Sequence, residues 1–182
     1  MVYPLRTTRL SIEPLKSADL NFFVDYRQDP VIARFQGWDS SYSVEQAVEL
    51  IDSQAGLLLP SQGQWLQLGV REKISGELVG DLALHCLIES EPTFEIGFTI
   101  ARKHQGKGFA KESASRLMKY LFFEVEAKTI VANTDRRNTS SVNLLLSLGF
   151  QRQTSKSWTE IFKNELVTVD YYYCRRQSVS NS

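Results

Sequence analysis

The stretch Ile96 to Glu112, IGFTIARKHQGKGFAKE, constrains this chain more than any other. An alternating apolar segment runs into a basic loop punctuated by Gly106 and Gly108, and the loop opens into an amphipathic pattern at Ala110, Ala114, Leu117, Leu121, Phe122 and Val125. The spacing predicts strand, tight loop and helix in direct succession. The first N–H groups of a helix have no intrahelical partner, and the helix dipole puts partial positive charge at that end. Glycines let the chain turn tightly and let an anion approach the main chain. A phosphorylated ligand is therefore expected at this loop.

The remainder reads as one globular domain over residues 1–176 with a polar, frayed tail at 177–182. Thr8 to Leu15 reads as a strand, and Ser17-Ala-Asp19 starts a helix through Arg27, with Asp29-Pro30 as punctuation. Ser43 and Gln46 form a capping-box pattern opening a helix to about Leu58, ended by Pro60 and Gly63. Gln64–Arg71 and Glu77–Ile88 read as a hairpin around Lys73–Gly76, with Gly80 a bulge or a close contact. Thr93–Ile100 is the next strand and Thr129–Thr134 a short one. Asn138 caps a helix to about Leu148, with Gly149 as its left-handed stop and Phe150 as the accompanying apolar contact. Phe150–Trp158 and Leu166–Cys174 read as a closing strand pair around Lys163-Asn164. The order β-α-α-β-β-β-α-β-α-β-β is an α+β layer fold with a mixed, mainly antiparallel sheet.

Charge narrows the function. Lys plus Arg equals Asp plus Glu at 21 each, so no net field favours nucleic acid or an anionic membrane. Two distant cysteines and two histidines lack metal-ligand spacing, so no metal is expected and a reducing cytoplasm fits. The start MVYPLRTTRL lacks a signal-peptide core, and the longest aliphatic run, Gly56 to Leu59, falls far short of a membrane span. The glycine loop is neither common nucleotide fingerprint. A Walker A loop requires Ser or Thr where Phe109 stands, and a dinucleotide loop requires a small residue where Lys111 stands.

The loop Gln105-Gly106-Lys107-Gly108-Phe109-Ala110 does resemble the (Q/R)-x-x-G-x-(G/A) pyrophosphate loop of the GNAT superfamily of acyl-CoA-dependent N-acetyltransferases. With TFEIGFTI, HQGKGFAKES and NTSSVNLLLSLGF it looks like the RimJ/RimL branch, which acetylates protein N-termini, notably of ribosomal proteins. The resemblance covers nearly the whole chain. It implies acetyl-CoA as co-substrate, lying in a cleft where Thr93–Ile100 splays from Thr129–Thr134. The pyrophosphate would rest on the N–H groups of Gln105, Gly106, Lys107, Gly108, Phe109 and Ala110, and the pantetheine arm would run along Phe98, Thr99 and Ile100. A primary amine would attack the thioester directly, with no covalent enzyme intermediate. Proximity and a main-chain N–H near Phe98 would supply catalysis.

The resemblance also implies roles for single residues, each with a plainer alternative. Asn138 is an N-cap and would also touch the cofactor arm. Many GNAT enzymes protonate the thiolate with a Tyr at the position of Leu145, so this chain departs from that pattern. Ser141, matched to an N-x-x-S element, is the candidate for hydrogen bonding the sulfur; otherwise it is a first-turn helix residue. Glu95 is the candidate base and amine contact, against a solvated carboxylate. Phe35 and Trp38 are candidate acceptor contacts, against ordinary core aromatics, and His85 reads as a strand-face residue. The acceptor is read as an α-amine of a protein or peptide, with an aminoglycoside or polyamine as alternative. A non-catalytic CoA-binding sensor is the reading from another class, and a homodimer is compatible with all of them.

Overall fold

The computed structural model describes residues 3–176. The expected tail at 177–182 lies outside them. Nine strands form one sheet: β1 (Leu5–Arg6), β2 (Leu10–Pro14), β3 (Trp65–Glu72), β4 (Leu78–Cys86), β5 (Thr93–Ile100), β6 (Thr129–Asp135), β7 (Gln151–Arg152), β8 (Trp158–Phe162) and β9 (Glu165–Arg175). Their spatial order is β1-β2-β3-β4-β5-β6-β9-β7, with β8 also paired to β9. Every pairing is antiparallel except β5 with β6. The helices are α1 (Leu20–Arg27), α2 (Pro30–Ala33), α3 (Val44–Ser53), α4 (Phe109–Phe123) and α5 (Thr139–Ser147). Among the described residues no helix is long and apolar enough to cross a membrane.

The period-2 alternation of β4 and β5 separates two cores. Leu82, Leu84, Phe94, Ile96 and Ile100 join Leu117 and Leu121 of α4 in the main cluster. On the opposite face, Phe23, Val24 and Tyr26 of α1 gather with Tyr42 and Ala47. Of the two roles expected for Gly80, it takes the close contact, with a Cβ there falling 2.9 Å from Ile100 Cα, and the bulge lies next to it. The register slips beside it, where Val70 pairs with Gly80 and Arg71 with Leu78, leaving Val79 as the bulged residue. The slip lets Val79 enter the main cluster while neighbouring Leu78 enters the second.

Several local expectations are met by identifiable bonds. Ser43 and Gln46 close the capping box of α3. At the end of α5, Gly149 takes φ +88°, its N–H donates to Leu146 O (3.0 Å), and the N–H of Phe150 donates to Leu145 O (3.1 Å), a Schellman pair over two buried apolar side chains. Lys163 and Asn164 both have positive φ, the type I′ geometry of a two-residue hairpin.

Three expectations shift. Helix α3 stops at Ser53, not Leu58, because the chain tightens into i→i−3 bonds and reverses at Gly56 (φ +80°). Asp29-Pro30 starts a helix as well as punctuating, since Asp29 accepts from the N–H of Val31 and Pro30 fits the first helical turn. The strand expected over 150–158 is divided into β7, a 3₁₀ turn at Thr154–Lys156, and β8, which pair with different stretches of β9.

Candidate active site

Strands β5 and β6 pair only through Thr93, Phe94 and Glu95. Beyond Glu95 they part, so the β6-facing edge of Ile96 to Ile100 has no strand partner. The parting opens a cavity of about 440 Å³ lined by Phe98, Thr99, Ile100, Gln105, Gly106, Gly108, Phe109, Ala110, Asn138 and Ser141, with Phe35, Gln36 and Lys111 also at its wall. Ten of the residues expected to hold the cofactor thus meet in one place. Lys107 is exposed and does not line it. Phe35, expected at the acceptor, lies on this side.

Gly106 and Gly108 take φ +75° and +80°, and a Cβ at Gly106 would meet open space. The loop needs these glycines for its backbone conformation, not for lack of room at position 106. A second segment braces the loop. The Arg9 guanidinium donates to Lys107 O (2.9 Å), pairs with Glu112 (2.6 Å) and lies 4.8 Å from the Phe109 ring centroid. Thr7 Oγ1 and the Arg9 N–H also donate to Glu112 (2.5 and 3.0 Å). Partial burial pushes the Glu112 carboxyl up, but these donors together hold it below its ordinary value. The Gln105 side chain donates to Ile100 O (2.9 Å), tying loop to strand.

A pyrophosphate fits this arrangement. The first-turn N–H groups of Phe109, Ala110 and Lys111 have no intrahelical acceptors by position. His104 lines the same cavity and is buried; its Nε2 lies 3.6 Å from Glu77 Oε2, and its Nδ1 has no hydrogen-bond partner among the described residues.

At the far wall Asn138 caps α5, its Oδ1 accepting from the Ser141 N–H (3.2 Å). Among the described residues the Asn138 amide nitrogen and the Ser141 hydroxyl have no hydrogen-bond partner, and both residues line the cavity. Leu145 is fully buried in the main core. An aliphatic side chain there offers the cleft no proton donor.

A second cavity, of about 690 Å³, borders Glu95, Ile96 and Gly97 of β5 and shares Gln36 with the first. Trp65 and Glu95, which line it, belong to a cross-strand row. Trp65 faces His85, and His85 faces Glu95, across β3, β4 and β5. Trp65 stacks on His85 with ring centroids 4.4 Å apart. His85 Nδ1 lies 3.4 Å from Glu95 Oε2, and Asn133 Nδ2 donates to Glu95 Oε1 (2.9 Å). Glu95 is therefore a half-buried, oriented carboxylate and not a freely solvated one. Behind it Gly97 and Ala83 leave the floor low.

The wall is the segment 34–43, which carries Trp38. The Trp38 indole donates to Arg27 O (3.2 Å), and its ring lies 3.8 Å from the buried Arg27 guanidinium. Beneath, buried Asp81 accepts from Tyr26 Oη and Gln67 Nε2, with Arg27 Nη2 3.8 Å away. Burial and the Asp81 charge hold the Tyr26 phenol well above its ordinary value, so it remains a donor.

Sequence reading missed His85, Asn133, Arg27, Gln67 and Asp81 as contributors. The pairing of His85 with Glu95 depends on hairpin register across the six residues Leu87–Pro92, which carry no two-residue turn signature. Among the described residues, no group of three or more His, Cys, Asp or Glu could hold a metal.

Comparison with known proteins bears on this geometry. The family model described as "Acetyltransferase (GNAT) domain" matches residues 9–151. An uncharacterised N-acetyltransferase of Bacillus licheniformis, p20, is 29% identical over 165 residues, covering 91% of this chain and 92% of the relative. The spermidine N-acetyltransferase of Vibrio cholerae, solved with CoA and spermine, superposes with a TM-score of 0.79 at 22% identity, over 93% of this chain and 96% of that one. A Vibrio cholerae protein assigned as a ribosomal-protein-serine acetyltransferase gives a TM-score of 0.76 at 19% identity, over 95% of this chain and 99% of that one. At such identities the two structures establish a shared fold.

Proposed function

This chain belongs to the acetyltransferase (GNAT) family, and from that premise we propose that it moves an acetyl group from acetyl-CoA to the α-amine of a protein or peptide, in the manner of the RimJ/RimL branch. Residues 1–176 act as the single catalytic domain. The observation that carries the reading is the chemistry of the second cavity. Of the two carboxylates that line it, Asp39 is paired with Lys163 (3.2 Å), which leaves Glu95 to meet an amine, and the Arg27 guanidinium is paired with buried Asp81 (3.8 Å). Around them stand the carboxamides of Gln36, Gln46, Gln54, Gln67 and Asn133, with the indoles of Trp38 and Trp65. One carboxylate suits one ammonium. Carboxamides hydrogen-bond peptide groups through both donor and acceptor. A polyamine would bring several cations to a site whose other carboxylates, Asp39 and Asp81, are already paired with Lys163 and Arg27.

In this reading the thioester supplies the acetyl group, and the chain's own residues arrange the rest. The N–H groups of Gln105 to Ala110 hold the pyrophosphate, and the open edge of Phe98, Thr99 and Ile100 takes the pantetheine arm as an added strand would be taken. Trp38 and the carboxamides orient the amine. Glu95, fixed by Asn133 and His85, accepts the ammonium proton so that the lone pair can attack. A main-chain N–H near Phe98 stabilises the oxyanion, and the Ser141 hydroxyl hydrogen-bonds the departing sulfur. The deciding experiment is thiol release from acetyl-CoA with N-terminal peptides, polyamines and aminoglycosides as acceptors. Turnover greatest on peptides supports the reading. Turnover confined to polyamines or aminoglycosides replaces the acceptor, and CoA binding without transfer to any amine makes the protein a sensor.

A further inference from the structure

The wall of the second cavity is tied down from a distant part of the chain. Lys163, at the turn between β8 and β9, reaches the segment that follows α2. Its Nζ donates to Ala33 O (2.8 Å) and Trp38 O (2.5 Å) and pairs with Asp39 Oδ1 (3.2 Å). Two donors of the ammonium go to main-chain carbonyls 125–130 positions earlier in sequence, and its charge is paired with Asp39, so all three partners fall within seven residues of one segment. The turn makes the reach possible. With φ of 48° and 64°, Lys163 and Asn164 form a rigid type I′ reversal at the tip of a hairpin.

The tie acts on the residue that matters for the pocket. Trp38 is held at its indole by Arg27 O and at its own carbonyl by Lys163. Gln36, Gly37, Trp38 and Asp39 all line the cavity between the two Lys163 carbonyl contacts or beside them. The cavity therefore has its width fixed by a charge-assisted clamp and not by apolar packing alone.

We propose that Lys163 is a positioning residue for the acceptor. It holds the 33–39 segment closed over the second cavity and thereby sets affinity for the amine, with no part in binding acetyl-CoA. The proposal rests on the second cavity being the acceptor site, so its test carries a readout that needs no acceptor.

Lys163→Met keeps the aliphatic stem and removes the ammonium. Amide hydrogen exchange of residues 34–41 should accelerate in this variant, while that of residues 66–70 in β3 stays as in wild type. On the best acceptor, KM for the amine should rise about 10- to 100-fold, the loss expected for one hydrogen bond to a charged group. Affinity for acetyl-CoA should be unchanged. Asp39→Asn, an exposed change that removes one charged acceptor of the three, should move both readouts in the same direction by less. Should Lys163→Met fail to fold, Asp39→Asn decides alone. Unchanged exchange over 34–41 overturns the clamp. Faster exchange with an unmoved amine KM overturns the role in affinity. If the wild type acetylates no amine, the acceptor reading fails by that result, and the exchange data still judge the clamp.

Discussion

Gly80→Ala should damage cofactor use out of proportion to its size. Gly80 sits opposite Ile100 across the β4–β5 pair. A Cβ there would lie 2.9 Å from Ile100 Cα and closer still to the carbonyl oxygen of Thr99, both main-chain atoms. Neither can swing aside, so β5 itself must move, by on the order of 1 Å to recover an ordinary contact. Overpacking of this kind costs about 1–3 kcal/mol. For a chain of this length each kcal/mol lowers Tm by about 2–4 °C. The displaced residues, Thr99 and Ile100, line the cofactor cavity, and a misplacement of about 1 Å at reacting groups can cost about 10²-fold in rate. Gly69→Ala is the matched control. Its Cβ would meet the tips of Leu78 and Leu15 at 3.0 and 3.1 Å, flexible side chains that line neither cavity. Melting curves and acetyl-CoA kinetics of both variants should show some loss of Tm in each, but a fall in kcat/KM for acetyl-CoA of about 10²-fold only in Gly80→Ala. Equal kinetics in the two variants would refute the claim that β5 carries the strain into the cleft.

Gly108→Val should weaken acetyl-CoA binding sharply, because a β-branched residue resists φ +80° and its Cβ would press within 3.4 Å of the Arg9 guanidinium that braces the loop; calorimetric affinity of a folded variant equal to wild type would remove the loop assignment. Glu95→Gln should lower turnover by about 10²–10⁴-fold with acetyl-CoA affinity intact; wild-type rates across pH would return Glu95 to a merely structural partner of Asn133 and His85. Ser141→Ala should lower kcat by about 10- to 100-fold with little change in KM for acetyl-CoA, since its hydrogen bond strengthens as charge develops on sulfur; unchanged turnover would leave water to protonate the thiolate.

What could be read from the chain alone follows from how local each signal is. The Ser43–Gln46 cap, the Asn138 cap and the Gly149–Phe150 stop are closed by bonds within a few residues, so residue type and spacing suffice to find them. The end of α3 was misplaced because Gly56 outweighs the apolar residues that continue past it. The interruption between β7 and β8 is not local at all. It is set by β9, which offers Tyr172 and Tyr173 to one strand and Glu165 to Val169 to the other.

The same distinction divides the site. The proposed cofactor half is made largely of main chain: an open strand edge, positive-φ glycines and helix-first N–H groups. Only a few residue types permit that backbone, so the text HQGKGFAKE announces it. The proposed acceptor half is made of side chains drawn from α1, the 34–43 segment, α3, β3, β4, β5 and β6, held in place by contacts such as Arg27 on Trp38 and Lys163 on Ala33 O. None of those residues is unusual for its element, and many other residues would fold as well. Such a surface can change its chemistry without changing the fold. The two Vibrio cholerae structures share this fold at 22% and 19% identity while carrying descriptions with different acceptors. Selectivity in this chain is therefore expected to follow Glu95, Trp38 and the carboxamides around them, and exchanging those side chains should redirect the acceptor while leaving acetyl-CoA affinity in place.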